Sequence, residues 1–170
     1  MRINIEKEFL ERINEHKGIL YKIAKLYMDT AADQEDLHQE MICQLWKSYH
    51  TFQGNSQFST WMYRVCLNTA ITFFKKDSQI TKTTFRLGEE EHQLKSEESN
   101  EEIEQQLHYL YKAIHELNDV EKALIFLYLE GFSHLEIGSN LGISEGNARV
   151  KLNRTKNKLQ EIIKGNGYEF

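Results

Sequence analysis

Gly131-Phe132-Ser133-His134-Leu135-Glu136-Ile137-Gly138-Ser139-Asn140-Leu141-Gly142 runs directly into Ile143-Ser144-Glu145-Gly146-Asn147-Ala148-Arg149-Val150-Lys151-Leu152-Asn153-Arg154. Ser133 followed three residues later by Glu136 has the spacing of a capping box, in which each side chain satisfies a backbone donor at a helix start. Gly142 can take the left-handed conformation that ends a helix, and Ser144 can cap the next one. At about 100° per residue, Ala148, Leu152, Thr155 and Leu159 share one side of the second helix, while Glu145, Arg149, Val150, Asn153 and Lys156 share another. One side can pack and the other can face a partner. Between Glu145 and Lys164 six Lys or Arg stand against two Glu, a surplus that attracts phosphates. The pattern predicts a helix-turn-helix, and duplex DNA is the first candidate partner.

Working outward, the 170 residues carry no proline, 40% hydrophobic content and a net charge of −5. Strand patterns are absent, so the expected class is all-α: two small helical domains joined by a flexible acidic linker, the C-terminal one holding the helix-turn-helix. The charge is unevenly spread. Nine acidic and three basic residues lie between Asp77 and Glu104, whereas Thr51 to Lys76 holds no acid and three cations, Arg64, Lys75 and Lys76. The acidic stretch loses apolar periodicity after Lys76, and its self-repulsion favours extension. Expected boundaries are a first domain over residues 1–76, a linker over 77–100 and a second domain over 101–170.

In the first domain, Phe9, Leu10, Ile13, Leu20, Ile23, Ala24 and Tyr27 recur at helical spacing. Leu37, Met41, Leu45 and Tyr49 mark a second helix that Asp33 could start, and a third should begin near Ser59. In the second domain, Ile103, Leu107, Leu110, Ile114 and Leu117 mark a first helix, and Val120 to Leu129 a shorter one that Gly131 can end. Cys43 and Cys66 have no paired spacing and read as buried thiols. The N-terminal residues lack the unbroken apolar core of a signal peptide, and no long apolar run occurs. A cytoplasmic protein without membrane insertion is expected.

The third helix carries a second candidate surface. Met62, Val65, Cys66, Thr69 and Phe73 share the sector expected to face the core, and Trp61, Arg64, Asn68, Thr72 and Lys75 share its neighbour. Six aromatic residues, no acid and the Gly54 loop fall between Thr51 and Lys76. Aromatic faces that stack on bases, beside cations that track a backbone, suit single-stranded nucleic acid. Core packing is the competing reading, and Phe58 and Phe73 are assigned to it. The seven histidines show no metal spacing, and no activated nucleophile or phosphate-cradling glycine loop is present. No catalytic activity, cofactor or metal is expected, and His38 reads as a surface position. A dimeric helix-turn-helix repressor is the rival reading, distinguished by palindromic sites.

Three blocks together resemble the bacterial sigma factors of the extracytoplasmic-function class, in the sigma-70 superfamily. They are Asp33 to Trp46, Phe52 to Ala70 and Gly131 to Leu159. The resemblance implies that the first docks on the clamp of the largest subunit of core RNA polymerase through Asp36, Gln39 and Glu40. It implies that Phe52, Gln53, Asn55, Ser56, Gln57, Trp61, Arg64 and Asn68 melt and read the minus-ten element. Ser144, Glu145, Arg149, Val150, Lys151, Asn153, Arg154 and Lys158 correspond to readers of the minus-thirty-five duplex, with Arg149 placed on a base and Lys151, Arg154 and Lys158 on phosphates. Implied partners are core polymerase at its clamp and flap, promoter DNA in duplex and single-stranded form, and an anti-sigma factor of the kind common among such relatives. The linker of such proteins lies in a polymerase channel. Two departures stand out: Asn118 where many relatives have proline, expected to loosen the following helix start, and the small Ala148, expected to loosen the turn.

Overall fold

The computed structural model describes residues 2–81 and 101–167; the 82–100 part of the expected linker lies outside them. Among the described residues every regular element is helical. α1 (Arg2–Glu15), α2 (Lys17–Tyr27), α3 (Ala31–Ser48) and α4 (Phe58–Thr81) build one compact unit. α5 (Glu101–His115), α6 (Asp119–Leu129), α7 (His134–Leu141) and α8 (Glu145–Gly165) build the other.

In the first unit α2, α3 and α4 pack on one another. Leu20, Ile23 and Leu26 of α2 meet Leu37, Met41 and Leu45 of α3 and Met62 and Leu67 of α4 in a fully buried core. Each such side chain contributes about 1.5–3 kcal/mol by leaving water. The expected first helix is two: the chain breaks at His16, whose N–H bonds to the Ile13 carbonyl in a tight turn. Leu10, counted in the apolar stripe, is exposed, whereas Phe9 and Ile13 are buried. Thr30, not Asp33, caps α3. Its hydroxyl oxygen accepts from the Asp33 N–H at 3.1 Å and its O–H donates to the Asp33 carboxylate at 2.7 Å. Tyr49 leaves the helix for a short 3₁₀ turn, Tyr49–Thr51. α4 runs five residues beyond Lys76, so loss of apolar periodicity there did not stop the helix.

The second unit is built around α8, which packs on α5, α6 and α7. Leu124 and Leu127 of α6, Ile137 of α7 and Leu152 of α8 are fully buried. α5 contributes its C-terminal half, with Ala113 and Ile114 buried while Ile103 and Leu107 stay exposed, and Leu117, expected in this helix, is buried in the turn that follows it. Asn118 does not loosen α6. Its side chain and that of Glu121 form a reciprocal capping box with both bonds at 3.0 Å, replacing proline's fixed angle by satisfied donors. α6 ends at Gly131, whose φ of 87° needs glycine, while the Phe132 N–H closes on the Leu127 carbonyl.

The two cysteines differ. Cys66 is buried, and burial pushes its thiol pKa up; Cys43 is exposed, contrary to the expectation for both. Cys43 lies two positions from the core residues Met41 and Leu45, which turns it off the buried stripe. His38 is half-buried rather than a surface residue: its ring lies 4.9 Å from that of Tyr21, and its Nε2 has no hydrogen-bond partner. Among the described residues no helix is long and apolar enough to cross a membrane, and no group of three or more His, Cys, Asp or Glu could hold a metal ion.

Candidate nucleic-acid interface

The α7–α8 corner has the local chemistry read from the sequence. Ser133 and Glu136 form both bonds of the capping box, at 3.2 and 2.8 Å. Hydrogen bonds from the Ser133 backbone and hydroxyl hold the Glu136 carboxyl below its ordinary pKa. Gly142 has φ 69°, and the Ser144 hydroxyl accepts from the Asn147 N–H at 3.2 Å. Gly138 makes the corner tight: a Cβ there would lie 2.7 Å from the Ile143 carbonyl oxygen. Ala148 is fully buried in this packing, so its small side chain fits the turn and does not loosen it.

This corner sets α8 with Ala148, Leu152, Thr155 and Leu159 buried and the polar arc outward. Arg149, Val150 and Asn153, with His134 of α7 and Lys156, line an open groove on one flank. Arg149 is tied to the Glu145 carboxylate at 2.9 Å, an exposed pair that can rearrange cheaply. Lys156 lies 4.4 Å above the Tyr128 ring. Lys151 and Arg154 line the opposite flank with Asn118, Asp119 and Glu121. Lys158 is held on Glu121 at 2.7 Å. Burial pushes the Glu121 carboxyl up, but hydrogen bonds from Lys158 and the Asn118 backbone outweigh it and leave its pKa below the ordinary value. His134 was missed in the sequence because its groove neighbours come from α8.

The first unit concentrates aromatic surface at the start of α4. Phe52 is half-buried, with its ring centroid 5.5 Å from Phe58 and 5.4 Å from Trp61. Trp61, also half-buried, meets Phe58 at 5.4 Å and Tyr49 at 6.3 Å. Phe58 is buried and closes the base of this cluster, while Phe73, assigned to the core, is half-buried. Gln53, Asn55, Ser56 and Gln57 stand exposed around Gly54, whose φ is 73°. Arg64 and Asn68 are exposed further along α4. The structure therefore brings Phe52 and Trp61 into one platform beside a polar loop. It also adds Arg12 and Tyr49, which sequence inspection missed. Arg12 reaches the cluster from 40 residues away, with no local signal.

On α3, Asp36 and Gln39 are exposed and Glu40 is half-buried. Gln39 donates to Glu35 at 3.3 Å, and Gln44 donates to Glu40 at 2.8 Å. These bonds lie along one helix and leave a polar surface.

One helical unit carries a basic helix-turn-helix and the other an aromatic platform beside a polar loop, which fits the class of helix-turn-helix DNA-binding proteins. Comparison with known proteins narrows it. Residues 12–80 match the family model for Sigma-70 region 2, and residues 107–159 match that for Sigma-70, region 4. The chain is 29% identical over 161 residues to the RNA polymerase sigma-H factor of Pseudomonas aeruginosa, across 88% of this chain and 81% of that protein. It is 24% identical over 161 residues to the ECF RNA polymerase sigma factor SigE of Mycolicibacterium smegmatis, across 90% of this chain and 60% of that protein. Among solved structures it resembles the sigma factor RpoE in complex with the anti-sigma factor NepR from Bartonella quintana. That match has a TM-score of 0.73 at 20% identity, covers 93% of this chain and 98% of that one, and shows the fold. The chain belongs to the sigma-70 superfamily, in its extracytoplasmic-function class.

Proposed function

We propose that this chain joins core RNA polymerase and directs initiation by gripping promoter DNA at two places, intact upstream and unwound at the start region. The observation that carries this reading is the separate construction of the two faces: α8 presents an exposed basic arc, and Phe52 and Trp61 form an open aromatic platform. Arg149 reads a base in the minus-thirty-five duplex, since a guanidinium donates two bonds to guanine. Glu145, Val150 and Asn153 line the same approach, and Ser144 sets the helix start. Lys151 and Arg154 take phosphates. Lys158, held by Glu121, contributes chiefly to holding α6 on α8.

At the minus-ten element the loop Phe52, Gln53, Asn55, Ser56 and Gln57 captures an unpaired base, with Trp61, Arg64 and Asn68 supporting the opened strand. Capture in a pocket offsets the cost of unstacking. Asp36, Gln39 and Glu40 meet the polymerase clamp. No step requires a catalytic residue, and the site of action is the cytoplasm. The first domain takes in α4 as far as Thr81 and the second starts with α5 at Glu101, so the expected boundary at residue 76 moves to 81 and the segment between the domains is 82–100. An anti-sigma factor is the inhibitor to seek, as the matched RpoE was crystallised with one.

The test is to mix purified core polymerase with the full chain, measure association, and map the transcript starts that appear. Association and new starts preceded by two unlike conserved elements are expected. A core enzyme that ignores the chain, or starts unchanged by it, overturns the proposal. Palindromic sites bound tightly without polymerase would favour the repressor reading.

A further inference from the structure

The aromatic platform has a buttress that no part of the proposed DNA contacts includes. The guanidinium of Arg12, on α1, lies 5.6 Å from the ring centroids of both Phe52 and Phe58. It is anchored from behind by Glu8, one turn earlier. Arg12 Nε donates to Glu8 Oε1 at 3.1 Å, and a terminal guanidinium nitrogen lies 2.9 Å from the same oxygen. The Tyr49 hydroxyl also donates to that oxygen, at 3.3 Å. Tyr49 in turn lies edge-on to Phe9, Phe58 and Trp61. One carboxylate thus fixes a cation and a phenol, and these two hold three rings of the platform.

We propose that Arg12 is a positioning residue of the base-capturing loop, holding Phe52 through its guanidinium so that the loop is preset before DNA arrives. Phe52 is the residue through which the loop can be held, since it is half-buried while residues 53–57 are exposed and Gly54 takes a φ of 73°. A cation over a ring face favours one ring orientation, which is what a stacking surface for an incoming base needs. Preorganisation lowers the ordering cost paid on binding. The inference rests on the minus-ten reading of this loop.

The experiment uses holoenzyme assembled from core polymerase and the full chain. Its probe is a fork carrying the minus-ten strand already unpaired, taken from a start that the chain itself activates. Arg12→Met is expected to weaken fork binding about two- to fivefold, the range of an exposed cation–ring contact. Affinity for the upstream duplex and the salt dependence of fork binding should stay as in the wild type. Arg12→Lys should recover most of the loss. Glu8→Gln, which removes no ring but loosens both Arg12 and Tyr49, should weaken fork binding in the same direction, and the loss in the double variant should fall short of the sum of the two single losses.

Fork binding unchanged in Arg12→Met overturns the proposal. So does a salt slope lower by about 0.7, the mark of a direct phosphate contact on single-stranded DNA, or additive losses in the double variant. Should Arg12→Met fail to fold, wild-type fork binding by Glu8→Gln overturns it alone. A chain that core polymerase does not bind overturns the function itself, and is seen before any fork is added.

Discussion

Arg149 illustrates how a side chain can be legible in kind and not in state. Its position on the exposed arc of α8 follows from a 3.6-residue period, but its pairing with Glu145 at 2.9 Å is a detail of rotamers. Because that pair is exposed, exchanging it for a base costs little. Arg149→Ala should weaken upstream duplex binding by holoenzyme by about 1–3 kcal/mol, measured by anisotropy on cognate duplex. Equal wild-type affinity for cognate and scrambled duplex would remove the base contact. Trp61→Ala should slow promoter opening, read as permanganate reactivity of thymines in the minus-ten region; unchanged reactivity would leave Trp61 a packing residue only. The cysteines give a simpler check. A thiol reagent should modify one cysteine in the native chain and two after denaturation, since Cys43 is exposed and Cys66 is buried with a raised pKa. Two fast-reacting thiols in the native protein would contradict the packing of α4.

At the scale of elements, helix ends were the most legible feature where the side chains that close them are adjacent in sequence. Ser133, Ser144, Gly142 and Gly131 all act as their residue types suggest. Asn118 and Thr30 show the limit: each was a good cap in plain sight, outweighed by an expected proline in one case and by Asp33 in the other. Asn118→Ala should cost about 0.5–2 kcal/mol, measured by thermal unfolding of the full chain. Gly138 was unremarkable as a letter because its role depends on how closely the turn folds back on α7. Gly138→Ala should destabilise by about 1–3 kcal/mol through overpacking against the Ile143 carbonyl. It should also weaken upstream duplex binding, because α8 would shift; unchanged melting and binding would show that the corner yields freely.

At the scale of the whole molecule, Glu121 and Glu136 are carboxyl groups with lowered pKa that both belong to helix caps of the second unit. Glu136 is held down by hydrogen bonds from Ser133; for Glu121, burial acts upward and Lys158 and Asn118 prevail. With folded values below unfolded ones, the unfolded chain binds more protons in acid, so this stabilisation is complete above the ordinary carboxylate range and fades as pH falls through the folded values. The α6 and α7 starts should therefore loosen first on acidification. Hydrogen exchange at the Asn118 and Ser133 amides, which donate to these carboxylates, should rise relative to the core of α2–α4 below about pH 4.5, and Glu136→Gln should flatten that dependence at α7. Parallel loss across both units would show that the caps are not the sensitive groups.

Sequence alone determined that the chain is helical, that it carries a helix-turn-helix, and which face of α8 is polar, because periodicity and capping act over three or four residues. Three ordered blocks also sufficed for the family. The tertiary structure decided what no short window contains: the break at His16, exposure of Cys43, the closeness demanded at Gly138, and the gathering of Glu8, Arg12 and Tyr49 behind Phe52. Those depend on contacts between segments far apart in the chain, whose energies arise only when α1 is packed beside the start of α4.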